Sequence, residues 1–84
     1  MVGYQVEIEK HAEKSLTKLP KMAQFRIRKA MGDLGTNPRP RGWKKLDDKA
    51  CRIWVGRRYR VVYEIDEKQK KVLVTKAGPR EGIY

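Results

Sequence analysis

Twenty-one lysines and arginines against ten acids put a formal charge of +11 on a chain of only 84 residues. A chain that short buries roughly 60% of its unfolded surface around one modest core, so the whole length reads as a single domain. The charge points to polyanionic partners: nucleic acid, an anionic membrane surface or an acidic protein. Cys51 is the only cysteine, which excludes an internal disulfide and argues against a secreted scaffold. No apolar run approaches the ~18 residues of a membrane span. The start, "MVGYQVEIEK", lacks the apolar stretch of a signal peptide, so a cytoplasmic protein without a membrane partner is expected.

In chain order, "YQVEI" alternates Tyr4, Val6 and Ile8 against Gln5 and Glu7, the period-2 pattern of a half-buried strand. From Glu9 the period becomes helical, with Ala12, Leu16 and Leu19 on one stripe until Pro20 halts the run or opens the next helix. A second helix follows, with Ala23, Ile27, Met31 and Leu34 on its apolar stripe and Arg26, Arg28 and Lys29 around it. It ends by Gly35, because "TNPRPRG" cannot continue a helix. Four short segments rich in β-branched and aromatic residues come next: "WKKL", "CRIWV", "RYRVVYEI" and "KVLVTKA". The predicted fold class is α+β in the order β-α-α-β-β-β-β, with the two helices packed on one face of a small antiparallel sheet.

The charge excess is concentrated in the middle of the chain. Residues 39–60 hold Arg39, Arg41, Lys44, Lys45, Lys49, Arg52, Arg57, Arg58 and Arg60 against only Asp47 and Asp48, interleaved with Trp43, Trp54 and Tyr59. Charge runs are usually solvated faces, but cations spaced among aromatics also suit an anion-binding surface. Strand parity sharpens this. If Cys51, Ile53 and Val55 face the helices, Arg52 and Trp54 face away. In the next segment Tyr59, Val61, Tyr63 and Ile65 form the inner set and Arg60, Val62 and Glu64 the outer one. Opposed residues share a face, so a three-residue turn of Gly56, Arg57 and Arg58 is required, with Trp54 beside Arg60 and Arg52 beside Val62. The expectation is an open sheet face displaying Arg52 and Arg60 next to Trp54. Such a face fits a phosphate with a stacked base, or simply the outward side of an amphipathic sheet.

"IWVGRRYRVVYEID" followed by "KVLVTKAGPREGIY" resembles the RelE toxins of the RelE/ParE superfamily, the toxic halves of bacterial type II toxin–antitoxin pairs. The motif elements are Tyr59-Arg60-Val61-Val62-Tyr63, then the strand from Val72 to Val74, then Gly78, Arg80 and Tyr84, and the strand and helix order also matches. The resemblance implies a ribosome-dependent endoribonuclease, an mRNA interferase that cuts messenger in the vacant A site. Its chemistry uses the RNA's own 2′-hydroxyl as nucleophile, without metal or cofactor. Carried over by position, Arg52 supplies a basic site, Arg60 and Arg80 contact the scissile phosphate, and Tyr84 approaches the reacting oxygens. Lys44, Lys45, Lys49, Trp54, Arg57 and Arg58 are the accompanying RNA-binding residues. The implied partners are the ribosome, mRNA and a cognate antitoxin, with operator DNA reached only through that antitoxin.

Two positions depart from the family pattern. Trp54 stands where many relatives have a basic residue, and Pro79 stands where a histidine or lysine commonly precedes the arginine. Two other functions fit the same features: a DNA gyrase inhibitor of the ParE branch, and a non-catalytic basic RNA-binding protein. His11 has no second histidine to pair with and reads as a solvent-facing side chain, while the adjacent Asp47 and Asp48 read as a loop or cap.

Overall fold

A computed structural model describes residues 3–79. Strand β1 (Gln5–Ile8) leads into helices α1 (Lys10–Thr17) and α2 (Lys21–Thr36). Strands β2 (Lys44–Lys45), β3 (Ala50–Val55), β4 (Tyr59–Asp66) and β5 (Lys71–Pro79) follow. They form one five-stranded sheet in the order β1-β5-β4-β3-β2. The expected element order therefore holds, and β2 to β5 pair antiparallel with their neighbours in sequence. At the other edge the sheet is mixed: β1 lies parallel to β5, Val6 opposite Val72 and Ile8 opposite Val74. The helical hairpin carries the chain away from β1, which frees that strand to pair with the last one rather than with its sequence neighbour.

The helices form where the apolar spacing demands. Ala12 and Leu16 of α1 and Ile27, Met31 and Leu34 of α2 are buried in one core with Cys51, Ile53, Val55, Val61, Tyr63, Val72 and Val74 of the sheet, and Ala23 of α2 is buried as well. Pro20, which lacks an N–H to continue α1, stands at the N-cap of α2. Arg28 donates both arms of its guanidinium to Glu13, at 3.1 and 2.6 Å, across the helical hairpin. Both side chains are about two-fifths exposed, so this pair orients the helices more than it stabilises them.

Gly35 makes the close approach at the end of α2. A Cβ there would lie 2.9 Å from the Tyr4 carbonyl oxygen, while the Tyr4 N–H donates to the Gly35 carbonyl at 2.7 Å. The segment after α2 is then pinned under the sheet. The fully buried Tyr63 donates its hydroxyl to the Pro38 carbonyl at 2.6 Å, and Arg39 donates to Glu67 at 2.9 Å. Burial pushes the Tyr63 phenol up to about 12, which keeps it a donor.

Glu67 gathers the Tyr4 hydroxyl at 2.6 Å, Arg39 and, at 3.4 Å, Lys70. The Tyr4 hydrogen bond first, and Arg39 second, hold its carboxyl down to about 2. A carboxylate depressed in the folded state contributes stability that is present above its unfolded pKa of ~4.3 and is lost as pH falls through the folded value. Denaturant melts between pH 5 and 2 are expected to show Glu67→Gln losing less stability than the parent over that window. A parallel loss in both proteins would remove Glu67 from the account.

Candidate nucleic-acid interface

The β3–β4 hairpin has the register that parity requires: Val55 faces Tyr59, Trp54 faces Arg60 and Arg52 faces Val62. The three-residue turn is Gly56, Arg57 and Arg58, and Gly56 takes φ +66°, where only glycine is unstrained. On the face away from the helices, the Arg52 guanidinium lies 5.0 Å and the Arg60 guanidinium 4.5 Å from the centre of the Trp54 ring. Lys44 of β2 stands directly opposite Arg52 on the same face. The trio of Arg52, Trp54 and Arg60 expected from sequence is therefore assembled by two central strands.

One expectation about this face is corrected. Arg60 is not displayed: it is only 6% exposed, whereas Trp54 is 37% exposed. A long side chain in the middle of a five-stranded sheet, with an indole against its guanidinium, is desolvated from the side even on a face without helices. Val62 beside it is buried as well, and Arg52 is half-buried.

Not all of the predicted cations join the trio. Arg57 and Arg58 are exposed at the hairpin tip. Lys45 faces Cys51, so it lies on the helix side of the sheet. Lys49 sits in the β2–β3 turn, where Asp47 accepts the Lys49 and Ala50 N–H groups at 2.8 Å each. These two backbone hydrogen bonds depress the Asp47 carboxyl, which fits the loop-and-cap reading of the Asp47–Asp48 pair. Lys45 and Lys49 instead border a cleft of about 620 Å³ with Arg39, Trp43 and Cys51. Arg80 and Tyr84 lie outside the described residues. Cys51 is core: burial raises its thiol above the ordinary range, so it is a poor nucleophile. His11 is exposed, 3.7 Å from Glu9.

The structure adds Lys76, which lies opposite Val62 on the same face as the trio and is exposed. Strict alternation from Val72 and Val74 would turn it toward the helices. A β-bulge intervenes: Tyr63 faces Val74 while Val62 faces Lys76, leaving Thr75 as the extra residue. The Thr75 hydroxyl donates to the Val62 carbonyl at 3.3 Å, within the bulge. The sequence carried a signal for this, since the next inward residue after Val74 is Ala77, an odd step along the strand.

Among the described residues there is no group of three or more His, Cys, Asp or Glu side chains that could hold a metal ion. No helix among them is long and apolar enough to cross a membrane. Chemically, the face offers fixed guanidinium forks, an aromatic plane and two flanking ammonium groups, a set suited to phosphates and bases.

The helical hairpin packed on one side of a mixed five-stranded sheet is the fold that this chain shares with solved RelE toxins. No protein-family model matches the sequence, and no curated protein does. Among solved structures, the chain is 32% identical to one in the archaeal RelE–RelB complex from Pyrococcus horikoshii, with full coverage of both chains and a TM-score of 0.83. The chain belongs to the RelE toxin family. It is 29% identical to a chain of the RelBE2 toxin–antitoxin complex of Mycobacterium tuberculosis, covering 94% of this chain and all of that one at a TM-score of 0.81. The isolated Escherichia coli RelE toxin shares the fold at 22% identity and a TM-score of 0.77, over 90% of this chain and 83% of that one.

Proposed function

We propose that the protein is a ribosome-dependent mRNA endoribonuclease, the toxin of a type II toxin–antitoxin pair. The observation that carries this reading is the convergence of Arg52 and Arg60 about Trp54 on one sheet face, flanked by Lys44 and Lys76. In the proposed reaction the 2′-hydroxyl of a messenger nucleotide attacks its own 3′-phosphate. The P–O5′ bond breaks, leaving a cyclic phosphate on one fragment and a 5′-hydroxyl on the other. Negative charge accumulates on the phosphorane-like transition state, so preorganised guanidinium groups supply the largest stabilisation. Arg60 and Arg80 are assigned to the scissile phosphate, Arg52 to the adjoining backbone, and Tyr84 to the reacting oxygens.

Proton transfer is the step least provided for: among the described residues, the ionisable groups nearest the trio on this face are Lys44, Lys76 and, beyond Val62, Glu64. Trp54 cannot carry a proton, and an ordinary tyrosine titrates near pH ~10. A requirement for the ribosome follows, because the A site can orient the messenger and help move the proton. Lys44, Arg57, Arg58 and Lys76 hold flanking phosphates. Lys45 and Lys49, on the other side of the sheet, reach RNA only if it wraps the β2 edge.

The solved relatives include RelE–RelB and RelBE2 complexes, which supports a cognate antitoxin as partner here. Met22 and Phe25, about two-thirds exposed on α2 among Lys21, Arg26 and Lys29, fit an acidic amphipathic segment of that antitoxin. Operator DNA would be reached through the antitoxin, and both proteins would act in the cytoplasm.

Primer extension on a reporter messenger after brief induction is the test in cells. Cuts inside translated codons that vanish with Arg80→Ala support the reading. Intact messenger with arrested growth and a DNA-damage response would replace it with gyrase inhibition. Intact messenger with normal growth would leave a binding protein.

A further inference from the structure

We infer that Trp54 is the nucleobase platform of this site and gives it a preference for purines next to the bound phosphate. The inference rests on the proposed function and deepens it. Trp54 projects from the paired end of β3, with one residue between it and the hairpin turn, and stands between Arg52 on its own strand and Arg60 across the ladder. Its ring lies 5.0 and 4.5 Å from their guanidinium carbons. The side chain is therefore fixed by contacts as well as by its backbone, yet it keeps 37% exposure. Among the described residues it is the most exposed large apolar side chain on the open sheet face, since Met22 and Phe25 belong to α2 and Leu46 to the β2–β3 turn.

A rigid aromatic plane beside guanidinium groups matches the dimensions of a single nucleotide. The phosphate needs donors, and the base needs a flat partner within a few ångströms of them. Lys44 and Lys76, on the strands to either side, place positive charge where the neighbouring phosphates of a strand crossing this face would run. The chemistry also sets the selectivity. Stacking does not depend on a particular hydrogen-bond pattern, so Trp54 accepts every base, but a two-ring indole overlaps a two-ring purine over more area than a pyrimidine. Charge contacts from Arg52, Lys44 and Lys76 are indifferent to the base.

The test uses the full chain carrying Trp43→Phe, so that Trp54 is the only tryptophan. The probes are a six-nucleotide oligoadenylate and a six-nucleotide oligouridylate, both 2′-O-methylated to prevent cleavage, titrated at low salt while Trp54 fluorescence is followed. Oligoadenylate is expected to quench that fluorescence and to bind about ten-fold more tightly than oligouridylate. Trp54→Leu and Trp54→Ala, read by fluorescence anisotropy of labelled oligomers, should abolish the difference. Lys76→Ala, which removes a flanking charge on the same face, should weaken both oligomers alike and leave the purine preference in place. Circular dichroism identifies any variant that has not folded, and the leucine variant preserves most of the apolar bulk.

Equal affinity for the two oligomers, no binding of either, or a purine preference that survives in Trp54→Leu overturns the inference. Failure of the nuclease reading looks different. In that case the purine preference is present in binding but messenger on ribosomes stays intact. Conversely, messenger cleavage whose positions are unchanged by Trp54→Leu leaves the nuclease standing and removes Trp54 as its selectivity element.

Discussion

Replacing Arg60 by alanine is expected to reduce messenger cleavage by about two to three orders of magnitude, the effect of removing one preorganised transition-state donor. The side chain comes from β4 in the middle of the sheet and is 6% exposed, with its guanidinium 4.5 Å from the Trp54 ring. Such a group reorganises little when charge develops on a phosphate, which is the condition under which a donor contributes most. Its burial also means that alanine removes packing, so the more discriminating variant is Arg60→Lys. Lysine keeps the charge and much of the stem but loses the planar fork that matches two phosphate oxygens. We expect Arg60→Lys to fold and to cut at no more than about a hundredth of the parent rate. Near-parental cleavage by a folded Arg60→Lys would show that the guanidinium serves the sheet rather than the reaction.

The largest loss of stability is expected at Tyr63. It is fully buried beneath the helices, and its hydroxyl reaches the Pro38 carbonyl at 2.6 Å, tying the segment after α2 to the central strand. Tyr63→Ala should cost about 3–5 kcal/mol in denaturant unfolding, from the lost aromatic volume and the cavity left behind. Tyr63→Phe separates the two contributions. It keeps the ring and leaves a buried carbonyl without its donor, a loss of about 1–3 kcal/mol. If Tyr63→Phe unfolds at the parental denaturant midpoint, the hydroxyl does not anchor that segment.

The helical hairpin and the site hairpin were legible in the sequence because local patterns determine them. The apolar stripes of Ala12 and Leu16, and of Ala23, Ile27, Met31 and Leu34, identify both helices and their buried faces. The inner set of Cys51, Ile53 and Val55 fixes which residues of β4 share its face, and with the three-residue turn at Gly56 that parity places Trp54 opposite Arg60. Three features were not legible. The parallel pairing of β1 with β5 joins residues more than sixty positions apart, and no local signal specifies it. The bulge at Thr75 changes the parity of β5 and brings Lys76 to the site face; only the odd spacing from Val74 to Ala77 betrays it. The burial of Arg60 depends on how Trp54 and the neighbouring strands enclose it, which alternation does not encode.

The same limit explains why the cationic segment divides. Sequence counts nine cations between residues 39 and 60 as one cluster, but a two-residue strand sends its lysines to opposite faces. Lys44 therefore joins Arg52, while Lys45 joins Cys51.

The central claim is best tested with purified protein, ribosomes carrying a defined messenger with a vacant A site, and mapping of the new RNA ends. The account predicts a cut within the A-site codon that leaves a 5′-hydroxyl, requires ribosomes, and is lost with Arg60→Lys. Intact messenger on those ribosomes, or equally fast cutting of the same RNA without them, would contradict it.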